Sequence, residues 1–558
     1  MGAPGTCSRG PHCFFLKGEL LESSAVGSSA GRLILANARV HTLLPSNLTV
    51  EAVGIGEGRI RAVGALSDVR AAVGPAREVD LVGSTVVPGL VDAHGHLAMM
   101  GERMRQLDLS AARSPEEVAA LVAARVAGAA AGEWLVGRAW DQNRFENGGL
   151  PDRACLDRAA PDHPVFLERV DGHAAWTNSR ALEAAGLGRD SPDPPGGRIL
   201  RDSAGEPTGI LVDAAMKPVV DRLPAPTDEE LEARLLTATE RCAGFGLTAV
   251  HDAGVDLRSW TVLERLARQG RLPVRVRAMA WRGAASFEEL IGPGPRTGLF
   301  GGMLSLRAVK FLVDGALGSR GAALFEDYCD EPGQTGLLVE LGLLERDAAR
   351  LLRRGFQLAV HAIGDRAAAL ALAVLERAAR EAGVREPRSR LEHAQLLRDE
   401  DFGRLARAGV IASVQPVHQV ADMSWVERRL GPERLARAYA WRSLLEAGTC
   451  LAFGTDFPIE EPNPLRTLHA AITRQDAHRR PAGGWRPEQR LTAAEALDAC
   501  TRGAAFAAFE EGQLGRVAPG MRADLTALDV DPLACDPWRL LEGRAMLTMV
   551  GGRIVFER

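Results

Sequence analysis

Two histidines separated by one residue, His94 and His96, close the run Leu90-Val91-Asp92-Ala93-His94-Gly95-His96. On an extended chain, side chains at i and i+2 point the same way, so both imidazoles can reach one metal ion. The pair alone is a weak signal, because a short motif gains meaning only from its context. Here the context is rich in donors. Lys310 lies in Ala308-Val309-Lys310-Phe311, His361 in Ala359-Val360-His361-Ala362, His393 in Leu391-Glu392-His393 and Asp456 in Phe453-Gly454-Thr455-Asp456, each in or just after a short β-type run. Four imidazoles and a carboxylate suit a borderline divalent cation such as Zn²⁺. The alternative is that each is a satisfied core or loop residue, which is common for one histidine and rare for five sites together.

Bringing these residues together requires a scaffold that gathers strand ends. Eight β-type runs are visible: Leu90–His94, Leu247–Asp252, Val274–Ala280, Leu306–Val313, Gln357–His361, Arg390–His393, Val410–Val414 and Cys450–Asp456. Helical patterns with apolar residues at three- and four-residue spacing alternate with most of them, at Glu229–Cys242, Leu257–Arg268, Arg346–Arg354, Arg366–Ala382, Arg434–Glu446 and Ala493–Phe509. This alternation predicts an α/β fold, a distorted (β/α)8 TIM barrel over residues 88–514 whose candidate ligands meet at one mouth. Residues 97–226, after the first strand, form an insertion expected to cover substrate, with a helix at Glu116–Val126. Short β runs at 32–87 and 515–558 predict a small β-sandwich domain built from both ends of the chain. Residues 1–31 read as a disordered tail, since Cys13-Phe14-Phe15-Leu16 is too short for a signal-peptide core.

Composition narrows the partners. The chain has 558 residues, and no apolar run approaches the ~20 residues that span a bilayer, so no membrane association is expected. A net charge of −5, with arginines spread along helices, predicts no nucleic-acid binding and favours a small-molecule substrate. Eight cysteines without metal-ribbon spacing fit a cytoplasmic protein. Association into a homo-oligomer is left open. Only Lys17, Lys217 and Lys310 are lysines among 67 basic residues.

These residues resemble the amidohydrolase superfamily, and within it the family 3 branch that includes N-substituted formamide deformylase-like proteins. The resemblance runs from about Leu33 to the C-terminus. It is carried by the Pro88–His96 run, Asp171-Gly172-His173-Ala174-Ala175-Trp176, Lys310 with Asp314-Gly315-Ala316-Leu317-Gly318-Ser319-Arg320, Val360–Asp365, Leu391–Ala394, Gly454–Pro458 and Gly515–Leu525. It implies one or two divalent ions, with His94, His96 and Asp456 holding one and His361 and His393 the second. Lys310, carboxylated by CO2, would bridge them. Water activated by the metal would attack a non-peptide C–N bond, and Asp456 would take its proton and pass it to the departing amine. Carbamate formation needs an uncharged amine, which arginine cannot supply, and this accounts for a lysine in an apolar strand of an arginine-rich chain. The alternative for Lys310 is a simple amine near one metal, paired with Asp314.

Further candidates lie outside the ligand set. Asp171, His173, Trp140 and Trp176 in the insertion, and Arg320 after strand four, are candidate substrate-binding residues. The competing readings are a surface turn for the first two, the insertion's own core for the tryptophans and general basicity for Arg320. Asp365 either orients His361 or caps its helix, and His418 is a minor candidate for the pocket. A linear amide such as an N-substituted formamide or N-acyl compound is the leading substrate class. Deamination or cyclic-amide opening, and a metal-binding regulatory protein without turnover, are the alternatives.

Overall fold

The computed structural model describes residues 31–558 except 45–47, 146–148 and 171. Residues 1–30 of the expected tail and the candidate Asp171 lie outside the described residues. Eight parallel strands form the barrel wall: β1 (Leu90–Gly95), β2 (Leu247–Val255), β3 (Arg275–Trp281), β4 (Leu304–Leu312), β5 (Gln357–Ala362), β6 (Arg390–His393), β7 (Ile411–Val414) and β8 (Leu451–Phe453). Each coincides with one of the eight runs read from the sequence. Strand β1 is buried along its whole length, as expected where both faces of a parallel sheet are covered. The seam between β8 and β1 is joined just past β8, where Asp456 N donates to His94 O at 2.7 Å and His96 N to Phe457 O at 2.8 Å.

The helices follow their apolar periodicity. Leu257–Arg268 starts at Asp256, whose side chain accepts from Ser259 N, and buries Trp260, Leu263 and Leu266. Asp365–Ala382 stops at Gly383, which adopts the left-handed conformation that ends helices. Two expected helices differ. Arg434–Glu446 is broken between Leu435 and Trp441, because Tyr439 takes φ +49° and spends its backbone N–H on Gln395 O. Ala493–Phe509 is interrupted by a π turn at Ala499–Gly503.

Both ends of the chain build a β-sandwich. One sheet pairs Leu33–Ala36, Ala52–Gly56, Arg59–Gly64 and Arg77–Asp80, and the other joins Thr85–Pro88 to Leu525–Leu528 and Ala545–Val550. Leu35, Val53, Ile60, Val86, Leu525 and Leu547 close its apolar core. Residues 101–234 form a second compact unit. It is richer in structure than its sequence suggested, with a six-stranded mixed sheet from Leu107–Asp108 to Pro207–Asp213. The helix Pro115–Val126, capped by Ser114, packs there as expected.

Candidate metal centre

The ends of β1, β4, β5 and β6 and the turn after β8 deliver His94, His96, Lys310, His361, His393 and Asp456 to one place. Close approach across the seam depends on Gly454, where an added Cβ would stand 2.5 Å from His94 N and 2.9 Å from Asp92 Oδ1. Asp92 staples the same seam: its carboxylate accepts from His94 N at 3.1 Å, Thr455 N at 3.2 Å and Thr455 Oγ1 at 2.6 Å. Two of the donors sit on strained backbone, His393 at φ +73° and Asp456 at φ +58°. Such left-handed residues cost about 1–3 kcal/mol each and persist only where the surroundings impose them.

The donor atoms converge. Asp456 Oδ1 lies 3.2 Å from His96 Nε2 and 3.6 Å from His94 Nε2, while Lys310 Nζ is 3.1 Å from His94 Nε2. The His94 and His393 ring centroids are 4.8 Å apart, and those of His361 and His393 4.4 Å. His418, from the helix Pro416–Asp422, stacks on His393 at 6.2 Å and brings Nε2 to 3.9 Å from Asp456 Oδ2. Ligand atoms of His94, His96 and Asp456, and again of His393, His418 and Asp456, form two groups within 4.8 Å.

Neighbours orient the imidazoles. His94 Nδ1 lies 2.6 Å from Glu392 Oε2, and Glu392 in turn pairs with fully buried Arg390 at 2.7 Å. Arg390 also donates to Ala93 O, Ser413 Oγ and His251 Nδ1. His393 Nδ1 lies 2.8 Å from Gln415 Oε1. In both rings Nδ1–H is committed and the Nε2 lone pair faces the centre, the arrangement that prepares histidine to bind a metal.

Electrostatics fit the same purpose. Burial, then the Lys310 charge, lowers His94 to about 4 and His361 to about 3, and burial holds His393 well below its ordinary value. These imidazoles are therefore neutral at pH 7, as metal ligands must be. Against its burial, Asp456 is held below the usual carboxylate range, chiefly by the hydrogen bond from His96. Burial lowers the Lys310 amine. His361 Nε2 is buried without a hydrogen-bond partner. Converging neutral nitrogens, an ionised carboxylate and an orphaned ring nitrogen fit a divalent cation.

Other expected residues fall elsewhere. Trp140 and Trp176 are fully buried in the core of the 101–234 unit, packed edge to face at 5.9 Å, with their indole N–H groups bonded to Leu167 O and Asp152 O. They are packing residues there and present no face to a ligand. His173 is exposed, with Nδ1 2.7 Å from Asp213 Oδ1. Arg320 pairs with Asp330 and Glu331 at 3.0 Å, so its guanidinium is committed to the protein's own carboxylates rather than a substrate's. Asp314 does not pair with Lys310; its oxygens accept from Ala323, Ile363 and Gly364 N–H groups. Asp365 bonds Phe325 N and Arg366 N and anchors its helix. Glu392, Arg390, Gln415 and Asp92 went unassigned in the sequence. Glu392 and Asp92 sit inside the ligand motifs, two residues or fewer from His393 and His94, where an acidic residue in an apolar strand was the available signal.

A barrel with this mouth suits a metal-dependent hydrolase, and its family membership makes it one acting on carbon–nitrogen bonds other than peptide bonds. The chain belongs to the amidohydrolase family, which it matches over residues 77–556. It is 34% identical to YtcJ of Bacillus subtilis over 537 residues, 93% of this chain and 98% of that protein. It is 29% identical to the N-substituted formamide deformylase of Arthrobacter pascens over 549 residues, 94% and 98% of the two chains. The crystal structure of an uncharacterized metal-dependent hydrolase from Pyrococcus horikoshii superposes with a TM-score of 0.76 at 29% identity, covering 91% of this chain and 99% of that one. No helix among the described residues is long and apolar enough to cross a membrane.

Proposed function

We propose that this protein hydrolyses a small linear amide, an N-substituted formamide or related N-acyl compound, to an acid and an amine. The observation that carries the reading is the division of labour on Asp456. Its Oδ1 faces His94 and His96, while Oδ2 is turned toward His418 and left to handle a proton. An ionised carboxylate with one oxygen on the ligand side and one on the reaction side serves first as base and then as acid. A C–N bond needs that acid, because the departing nitrogen must leave protonated. Likeness over nearly the whole length to a formamide deformylase supports the linear class.

His94, His96 and Asp456 would hold one ion, Zn²⁺ by donor type, and His361 and His393 a second, with N-carboxylated Lys310 between them. Bound there, the metal supplies Lewis-acid polarisation of the carbonyl and lowers the pKa of water. Burial favours the neutral Lys310 amine that carboxylation requires. Glu392 and Gln415 keep His94 and His393 in the ligating tautomer. The free thiols among the described cysteines support a cytoplasmic location. The test is amine or ammonia release by metal-reconstituted protein from formamides, N-acyl amino acids, cyclic amides and aminopurines. Turnover of formamides or N-acyl compounds supports the proposal, and turnover confined to esters overturns it.

A further inference from the structure

We propose that His418 is a catalytic residue that donates its Nε2 hydrogen to the carbonyl oxygen of the amide as negative charge develops there. The proposal rests on the linear-amide reading above. His418 is rigidly placed. It lies in the first turn of the helix Pro416–Asp422, which follows β7 after the single residue Gln415, and only 11% of its side chain is exposed. Its ring lies parallel to that of His393, with an interplanar angle of 9°.

The two ring nitrogens have different surroundings. Nδ1 lies 3.5 Å from the amide nitrogen of Gln395, and the tautomer assigned by the proposal is the one in which Nδ1 accepts there and Nε2 carries the ring hydrogen. A nitrogen that carries hydrogen has no lone pair for a cation, which separates His418 from His94 and His393. Yet Nε2 is buried and makes no hydrogen bond. Its nearest acidic atom, Asp456 Oδ2, is 3.9 Å away, beyond the ~2.7–3.2 Å of an N–H···O bond. A buried donor of this kind calls for a partner that arrives with the ligand.

The spacing suits one reacting carbon. Water adds its oxygen to the carbonyl carbon and gives a proton to Asp456, while the carbonyl π pair moves onto the carbonyl oxygen. That oxygen and the attacking oxygen are borne by the same carbon. Nε2 and Oδ2, 3.9 Å apart, can each reach one of them, His418 as donor and Asp456 as acceptor. When the pair returns, the C–N bond breaks, nitrogen keeps its electrons and takes the proton from Asp456. The sum is amide plus water to acid plus amine, and His418 keeps its own hydrogen throughout. A fixed donor aimed at a developing oxyanion strengthens selectively in the transition state.

The experiment compares wild type, His418→Ala and His418→Gln as metal-loaded full-length protein, measuring metal per chain, kcat and KM on N-substituted formamides with different amine groups. Loss of one such donor predicts a fall in kcat on the order of 10²–10³-fold, with KM changed only a few-fold. Metal content should equal wild type, and the loss should be the same for every amine, because the carbonyl oxygen is common to all. His418→Gln, which keeps an N–H, should retain more activity than His418→Ala. A variant lacking one equivalent of metal would make His418 a ligand and overturn the proposal. So would full metal with unchanged kcat. Wild type inert toward every amide would overturn the linear-amide reading itself, an outcome visible without any variant.

Discussion

Two buried charged clusters sit at opposite ends of the barrel and are finished differently. At the foot, Arg275 at the start of β3 meets Asp524 of the sandwich through Nε at 2.6 Å and Nη2 at 2.8 Å. Its remaining donors reach Gly302 O and Gly301 O, Asp524 also accepts from Gly551 N, and both side chains are 1% exposed. Every strong donor and acceptor is matched, as burial of an ion pair requires. At the mouth, buried atoms are left incomplete: His361 Nε2 and His418 Nε2 have no hydrogen-bond partner, and the Lys310 amine faces an imidazole. A saturated cluster contributes to holding domains together. An unsaturated one costs stability and is retained where something else completes it.

The sharpest way to break this contrast is His94→Ala. Loss of a ligand should remove at least one equivalent of metal and essentially all amide hydrolysis, read by elemental analysis and amine release. Full metal and full rate would make the mouth structural after all. Next is Arg275→Met, which leaves Asp524 charged and buried. Denaturant unfolding should show a loss of about 3–5 kcal/mol, while kcat and metal content of the folded fraction stay at wild type. A change in kcat there would couple the two ends. Lys310→Ala should retain roughly half the metal and recover partly with added short carboxylates, whereas Lys310→Arg should not recover. Full metal content in Lys310→Ala, or one metal per wild-type chain with no carbamate signal after ¹³CO2 exchange, would defeat the bridged pair.

The smallest effect concerns Asp92, which burial raises to about 7. Its unfolded value is about 3.9, so between the two the folded state binds the extra proton and stability falls as pH rises. Asp92→Asn cannot titrate and should flatten that decline, measured as unfolding free energy between pH 4 and about 7. An unchanged slope would place the titration elsewhere. Glu392 has the opposite sign: Arg390 holds it well below its ordinary value against burial, so its contribution is lost as pH falls.

What the chain determines by itself is the part that local rules encode. Eight apolar runs spaced by amphipathic helices specify the barrel, because strand and helix periodicities are written into adjacent residues. The His94/His96 pair and donors at the ends of β4, β5, β6 and just past β8 were legible for the same reason, since a parallel barrel brings all its strand ends to one mouth. The helix break at Tyr439 and the left-handed backbone of His393 and Asp456 were not legible, because each is imposed by contacts distant in sequence. Trp140 and Trp176 could have faced a ligand or a core; only their bonds to Leu167 O and Asp152 O decide for the core. Arg390 is one arginine among 64, and nothing local marks it as the residue that holds Glu392 against His94. Those partners stand 298 residues apart, and only closure of the barrel brings them to 2.6 Å.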